Sequence, residues 1–143
     1  MIIKTSKIIL VVIILLLAGC SEKQAEDEKA ITVTVSVYGA NEEYILENEL
    51  IEVEKNVSVA DALSAVCVKN ETDLEIRGNG SDSYIVSIDK VREFSEGSGS
   101  RWVFVINNEY SLKKPGSVRL NGGENIRFYF TLNLGKDIQE KFS

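Results

Sequence analysis

The stretch Val57-Ser-Val-Ala-Asp-Ala-Leu-Ser-Ala-Val-Cys-Val-Lys-Asn70 decides the fold. Ser58 is an N-cap residue, and Asp61, three positions later, closes a reciprocal capping box. Val59, Ala62, Leu63, Val66 and Cys67 then recur at helical spacing and define one buried stripe, and Asn70 is a natural stop. The sequence predicts one amphipathic helix here, flanked on both sides by segments of a different period.

Upstream, Ile31-Thr-Val-Thr-Val-Ser-Val37 alternates apolar and polar without a fault, as a strand with one buried face does. Gly39 to Glu43 supplies turn residues, and Tyr44 to Lys55 is a second β-rich stretch, interrupted near Asn48. Together they predict a hairpin. Downstream, Leu74 and Ile76 precede Gly78-Asn-Gly80, and Tyr84, Val86 and Ile88 alternate again. Ser95 to Ser100 (SEGSGS) is a flexible loop by composition. It opens onto Arg101-Trp-Val-Phe-Val-Ile106, a strand with Trp102, Phe104 and Ile106 on one face and a turn at Asn107-Asn108. A short strand is expected at Val118 and Leu120 before Gly122-Gly123 breaks the chain. The last strand sets Ile126, Phe128, Phe130 and Leu132 against Arg127, Tyr129 and Thr131.

Two strands, one helix and at least three more strands form the plan of an α+β, β-grasp (ubiquitin-like) domain, a mixed sheet with one main helix. An immunoglobulin-like sandwich is the alternative, but it leaves the capped helix without a place. One face of the sheet buries a core, and the other is solvated or occupied by something else.

The amino terminus reads differently. Lys4 and Lys7 precede an unbroken apolar run of eleven residues from Ile8 to Ala18, followed by Gly19 and Cys20. A spanning helix needs about 20 apolar residues, whereas the apolar region of a secretory signal needs about 7 to 15. Residues 1–19 are therefore expected to be a signal peptide. A signal anchor left uncleaved is the alternative. Leu17-Ala18-Gly19-Cys20 resembles the bacterial lipobox, which implies lipidation at Cys20 and a chain held on the extracytoplasmic face of the bacterial cell membrane. Two acyl chains on one residue suffice for stable anchoring. Residues 20–30 then form a lipidated cysteine and acidic tether, and residues 31–143 the domain. Loss of Lys4 and Lys7 with the signal takes the formal charge from -6 to -8.

Composition removes several functions. The chain has no histidine, so there is no Ser-His-Asp or Cys-His machinery and no imidazole ligand for zinc or cobalt. Net acidity opposes nucleic-acid binding, which relies on clustered Lys and Arg. Cys67 lies on the helix's apolar stripe and reads as a small core residue. Gly97-Ser-Gly99 lacks the Lys-Ser or Lys-Thr of a phosphate loop and reads as a hinge or lid. Asn79-Gly-Ser-Asp82 lacks calcium-loop spacing and reads as a turn. No catalytic constellation is visible, so the expectation is a protein that is not an enzyme, with no cofactor and no metal site.

Four segments occur in order: Val57 to Leu63, Tyr84 to Ile88, Gly99 to Asn107 (GSRWVFVIN) and Gly122 to Thr131 (GGENIRFYFT). They resemble the carboxy-terminal domain shared by transcobalamin and intrinsic factor, found alone in many bacterial lipoproteins as a domain of unknown function of the DUF4430 type. In the vertebrate carriers this domain closes over one face of cobalamin while a larger helical domain holds the other. The present chain has no such helical domain. The resemblance implies an extracytoplasmic small-ligand-binding module, with a corrinoid (cobalamin) as the leading ligand and a membrane transporter or surface protein as the partner that receives it. A surface module that binds another protein through a sheet edge is the alternative.

A corrin presents an apolar macrocycle edged with amides and needs an aromatic platform with hydrogen-bonding groups around it. Trp102, with Asn107, Asn108 and Tyr110 in the next turn, could supply that set. Trp102 could equally pack against Leu63 and Phe128 in the core. Tyr129, with Arg127 and Thr131, is expected on a polar, aromatic strip on the exposed sheet face, either as a ligand-binding residue or simply solvating that face.

Overall fold

The computed structural model describes residues 29–143. The signal peptide, Cys20 and the tether up to residue 28 lie outside the described residues. Eight strands run β1 (Ala30–Tyr38), β2 (Tyr44–Glu54), β3 (Leu74–Arg77), β4 (Tyr84–Ile88), β5 (Val91–Arg92), β6 (Arg101–Ile106), β7 (Glu109–Tyr110) and β8 (Asn125–Thr131). Helix α1 (Val59–Lys69) follows β2, and a short helix α2 (Lys136–Lys141) ends the chain.

Helix α1 forms where the sequence places it. Asp61 accepts from the Ser58 backbone N–H at 2.9 Å, and Ser58 Oγ accepts from the Asp61 N–H at 3.1 Å, so the capping box is complete. Asn70 caps the other end, and the whole predicted stripe is buried.

The larger sheet has the order β2-β1-β8-β6-β7. Its central pair, β1 and β8, is parallel, and every other pair is antiparallel. The β1–β2 hairpin is irregular where predicted. Asn48 adopts φ 46°, its N–H donates to Ser36 Oγ at 3.0 Å, and the register shifts between Val35 and Val37. One sheet face carries Val33, Val35 and Val37 from β1, Phe104 from β6 and Phe128 from β8, and α1 packs on it through Leu63 and Val66.

Three expectations need correction. Strands β3, β4 and β5 do not join the main sheet; they form a separate three-stranded antiparallel sheet whose Ile85 and Ile88 close the core. The short strand at Val118 and Leu120 is reduced to one bridge, Ser58 to Arg119, although Leu120 is fully buried. Leu132 lies past the end of β8 and is exposed. Of the two alternatives for the second sheet face, solvent or another cover, the structure shows partial cover by α2 through Ile138, which packs with Val105 and Tyr129.

Compositional flexibility did not translate into a loose loop at Ser95 to Ser100. Ser100 is fully buried and its carbonyl accepts from the Phe94 N–H at 2.8 Å. Gly99 lies so close to the end of β8 that a Cβ there would stand 2.7 Å from the Leu132 carbonyl oxygen. Asn79 to Asp82 is a turn ending in a 3₁₀ segment, Gly80–Asp82, and Lys114 pairs with Asp82 at 3.0 Å. No helix of the described residues is long and apolar enough to cross a membrane.

Candidate functional site: an aromatic cleft between the two sheets

A cleft of about 220 Å³ opens between β6 and the start of β4. Five aromatic residues line it: Tyr84, Phe94, Trp102, Phe104 and Phe128. Pro115, Ile85 and Val103 complete the apolar wall, and Glu93 and Arg101 are its only charged residues. Phe94 is 55% exposed and Tyr84 37%, so the mouth itself is aromatic.

Strand pairing explains why there is a cleft here at all. The Asn107 N–H donates to Asn125 across the β6–β8 pair, whereas the Phe104 carbonyl accepts from Ser111 on the other side of β6. Backbone polar groups alternate sides along a strand. Those of Trp102, two residues before Phe104, therefore point away from β8. Strand β7 pairs only with Val105 and Ile106, too short to reach Trp102. The Trp102 N–H and C=O thus face the side of β6 where no strand of the main sheet pairs with them.

Trp102 itself is 8% exposed. Its ring tilts against Phe130 with centroids 5.2 Å apart, and its Nε1 donates to the Val91 carbonyl at 2.9 Å. It is at once a core residue and part of the cleft wall, so its two sequence-stated roles meet in one side chain.

The other expected site residues do not converge with it. Asn107 and Asn108 adopt φ 49° and 66°, the left-handed pair that a two-residue hairpin needs and that Asn tolerates. Their side chains are spent on structure: Asn107 Oδ1 accepts from the Asn125 N–H at 3.0 Å, and Asn108 Oδ1 accepts from Arg127 at 2.5 Å. Tyr110 lies on the opposite sheet face, beside Val103 and under α2.

Tyr129 is on that face too, but it is 3% exposed, which corrects the expected solvent-facing strip. Tyr38 stacks on it at 4.6 Å and 5°, Phe142 tilts against it at 5.8 Å, and Ile138 covers it. Arg127 lies over the Phe142 ring at 4.7 Å. Thr131 is fully buried and its hydroxyl donates to Asp137 at 2.5 Å. Burial pushes the phenols of Tyr129 and Tyr110 above their ordinary range, partly offset by Arg127 and Arg101 respectively.

Sequence reasoning missed Tyr84, Phe94 and Arg101 as parts of one site. Phe94 carries the clearest signal in hindsight, a lone large apolar residue among Arg92, Glu93, Ser95 and Glu96. Cys67 is buried and its thiol is pushed up to about 11, chiefly by desolvation. Among the described residues no group of three or more Cys, Asp or Glu side chains is placed to hold a metal ion.

With this geometry in hand, comparison with known proteins is informative. The profile of a family described as a domain of unknown function (DUF4430) matches residues 56–132, more than half of the chain. The chain belongs to the DUF4430 family. The matched span runs from the turn before α1 to the residue after β8 and so includes every residue of the cleft. Among solved structures, haptocorrin in complex with Cbi is similar over 75% of this chain, with TM-score 0.62 and 16% identity. The DUF4430 chain spans 26% of haptocorrin's length. A protein from Ruminococcus gnavus ATCC 29149, provisionally described as metal binding, is similar over 72% of this chain and 98% of its own, with TM-score 0.52 and 12% identity. Both likenesses concern the fold. No curated protein sequence matches the chain significantly.

Proposed function

We propose that this DUF4430 protein is a membrane-anchored, extracytoplasmic module that binds a small ligand in the cleft between β4 and β6, and that the ligand is a corrinoid. One observation carries the reading: an aromatic-walled cleft beside a stretch of β6, at Trp102, that β7 is too short to pair. An amide-edged, flat apolar molecule meets both features at once, its apolar surface against Phe94 and Tyr84 and an amide against the strand edge. A corrin macrocycle is larger than the cleft, so one edge of it enters and the remainder stays outside. The likeness to haptocorrin supports the choice of ligand class.

The fold is read as a β-grasp, supported by the parallel β1–β8 pair at the centre of the sheet with α1 packed across it. Strand direction also bears on the anchor. Arg101 pairs with Thr131 at the end of β8, and Tyr38 pairs with Tyr129, so the cleft lies at the end of the sheet opposite Ala30, where the tether joins. Nine residues of strand put roughly 25 Å between them. A domain tethered through Cys20 would thus present its cleft away from the bilayer, toward an incoming ligand. The reading is of binding without catalysis, with Glu93 the one carboxylate on the cleft wall.

The alternative, protein capture by an open sheet edge, finds less support. Strand β2 is the long edge, but Lys69 Nζ donates to its Leu50 carbonyl at 2.9 Å and pairs with Glu49. Its Glu47, Glu49, Glu52 and Glu54 are also the charges that keep edges from pairing.

Calorimetric titration of the protein with cobinamide and with cobalamin tests the ligand. Heat with a micromolar midpoint is expected, and its absence for both overturns the corrinoid reading. Replacement of Cys20 by Ser tests the anchor: the variant should leave the membrane fraction of the producing bacterium, and retention there would contradict lipidation.

A further inference from the structure

Arg101 is the one cation on the wall of the cleft. Its side chain makes no ion pair, and its Nε is buried without a hydrogen-bond partner. Glu93, the one acid of the cleft, also stays outside ion-pair distance of it. Other arginines do have partners: Arg77 and Arg92 share Glu75, and Arg127 donates to Asn108 although its Nε, like that of Arg101, is buried without a partner. A guanidinium Nε–H that has lost water without gaining a partner costs free energy. That cost is removed when a ligand brings an acceptor, and an oxyanion is the strongest acceptor for a guanidinium fork.

We propose that Arg101 makes the cleft selective for ligands that carry an oxyanion, a carboxylate, phosphate or sulfonate, at the rim of a flat apolar body. The apolar body lies against Phe94, Tyr84 and Trp102, and the oxyanion meets Arg101. This rests on the cleft being the binding site but not on the ligand being a corrinoid. It makes Arg101 a specificity residue, while the aromatic wall supplies affinity common to charged and neutral ligands.

Two dyes of nearly equal shape separate these terms. 1-Anilinonaphthalene-8-sulfonate carries a sulfonate, and N-phenyl-1-naphthylamine is its neutral counterpart. Binding to the full chain is read from dye fluorescence sensitised by Trp102, the only tryptophan. The wild type should bind the sulfonate at least roughly tenfold more tightly than the neutral dye, with a preference that shrinks as salt is raised. Arg101→Gln should abolish the preference and leave the neutral dye's affinity unchanged, and Arg101→Lys should keep part of it. Glu93→Gln, with Arg101 intact, should raise sulfonate affinity and keeps the test open if the Arg101 variants fold poorly. Phe94→Ala should weaken both dyes alike.

Equal binding of the two dyes by the wild type, or an unchanged preference in Arg101→Gln, overturns the proposal. A silent corrinoid titration beside an Arg101-dependent dye preference removes the corrinoid and leaves Arg101 in place. Corrinoid binding without any dye preference does the opposite. Failure of every probe to bind removes both.

Discussion

The indole Nε1 of Trp102 donates a 2.9 Å hydrogen bond to the carbonyl of Val91, fastening the small sheet to the large one at the base of the cleft. Trp102→Phe keeps an aromatic ring but leaves that carbonyl without its donor. A loss of about 1 to 3 kcal/mol is expected, read as a lower urea midpoint with unchanged slope. A midpoint equal to the wild type's would mean that the bond does not hold the two sheets together.

The capping box at α1 makes a second, local prediction. Ser58→Ala removes the acceptor for the Asp61 N–H and should cost roughly 0.5 to 2 kcal/mol in urea unfolding. Asp61→Asn should cost less, because it retains an oxygen that can accept from the Ser58 N–H. A ranking in which Asp61→Asn is the worse variant would contradict the assignment of Ser58 as the cap.

Gly135 opens α2 with φ 84°, and a Cβ there would stand 2.2 Å from Tyr110 Oη. Gly135→Ala should therefore destabilise the protein through both backbone and contact, with about 1 to 2 kcal/mol from the left-handed backbone alone. Tyr110→Phe in the same chain removes the clashing oxygen and should recover part of the loss, a coupling visible in a double-mutant cycle. Strict additivity would show that α2 does not sit against Tyr110.

Stability should fall at high pH. Tyr110 and Tyr129 have pKa values raised above 10.0 by burial, and Cys67 is raised from 9.0 to about 11. Each group binds its proton more tightly in the folded than in the unfolded chain. Its contribution is complete below the unfolded pKa and is lost as pH rises through the folded one. Urea midpoints should be flat near neutrality and decline above about pH 9. Tyr129→Phe and Cys67→Ala should each flatten part of that decline. A midpoint that is constant to pH 11 would contradict the burial of these groups.

How far the sequence could be read depended on whether period alone carried the information. The α1 stripe, the two faces of β1 and the Phe128 and Phe130 face of β8 were legible because each alternates or recurs over a full element. The separation of β3, β4 and β5 into their own sheet was not, since a strand's period says which face is buried and not which strand it pairs with. Helix α2 was overlooked because six residues offer barely two turns of pattern. Its charges, Lys136 and Asp137 in the first turn and Glu140 and Lys141 in the last, add no clear dipole signal either. That omission had a consequence for the site. With no cover foreseen for the second face, Tyr129 was expected in solvent, and α2 buries it. Trp102 lies in the cleft wall, while its companions there, Tyr84 and Phe94, come from the second sheet and the loop after it.

The central claim is that the cleft holds a flat ligand against Trp102. The most direct test is Trp102 fluorescence during titration with cobinamide, corrected for absorption by the ligand, in the wild type and in Phe94→Ala. Saturable quenching with a micromolar midpoint in the wild type, at least tenfold weakened in Phe94→Ala, is the expected result. Quenching equal in the two proteins, or none in a folded wild type, would contradict it.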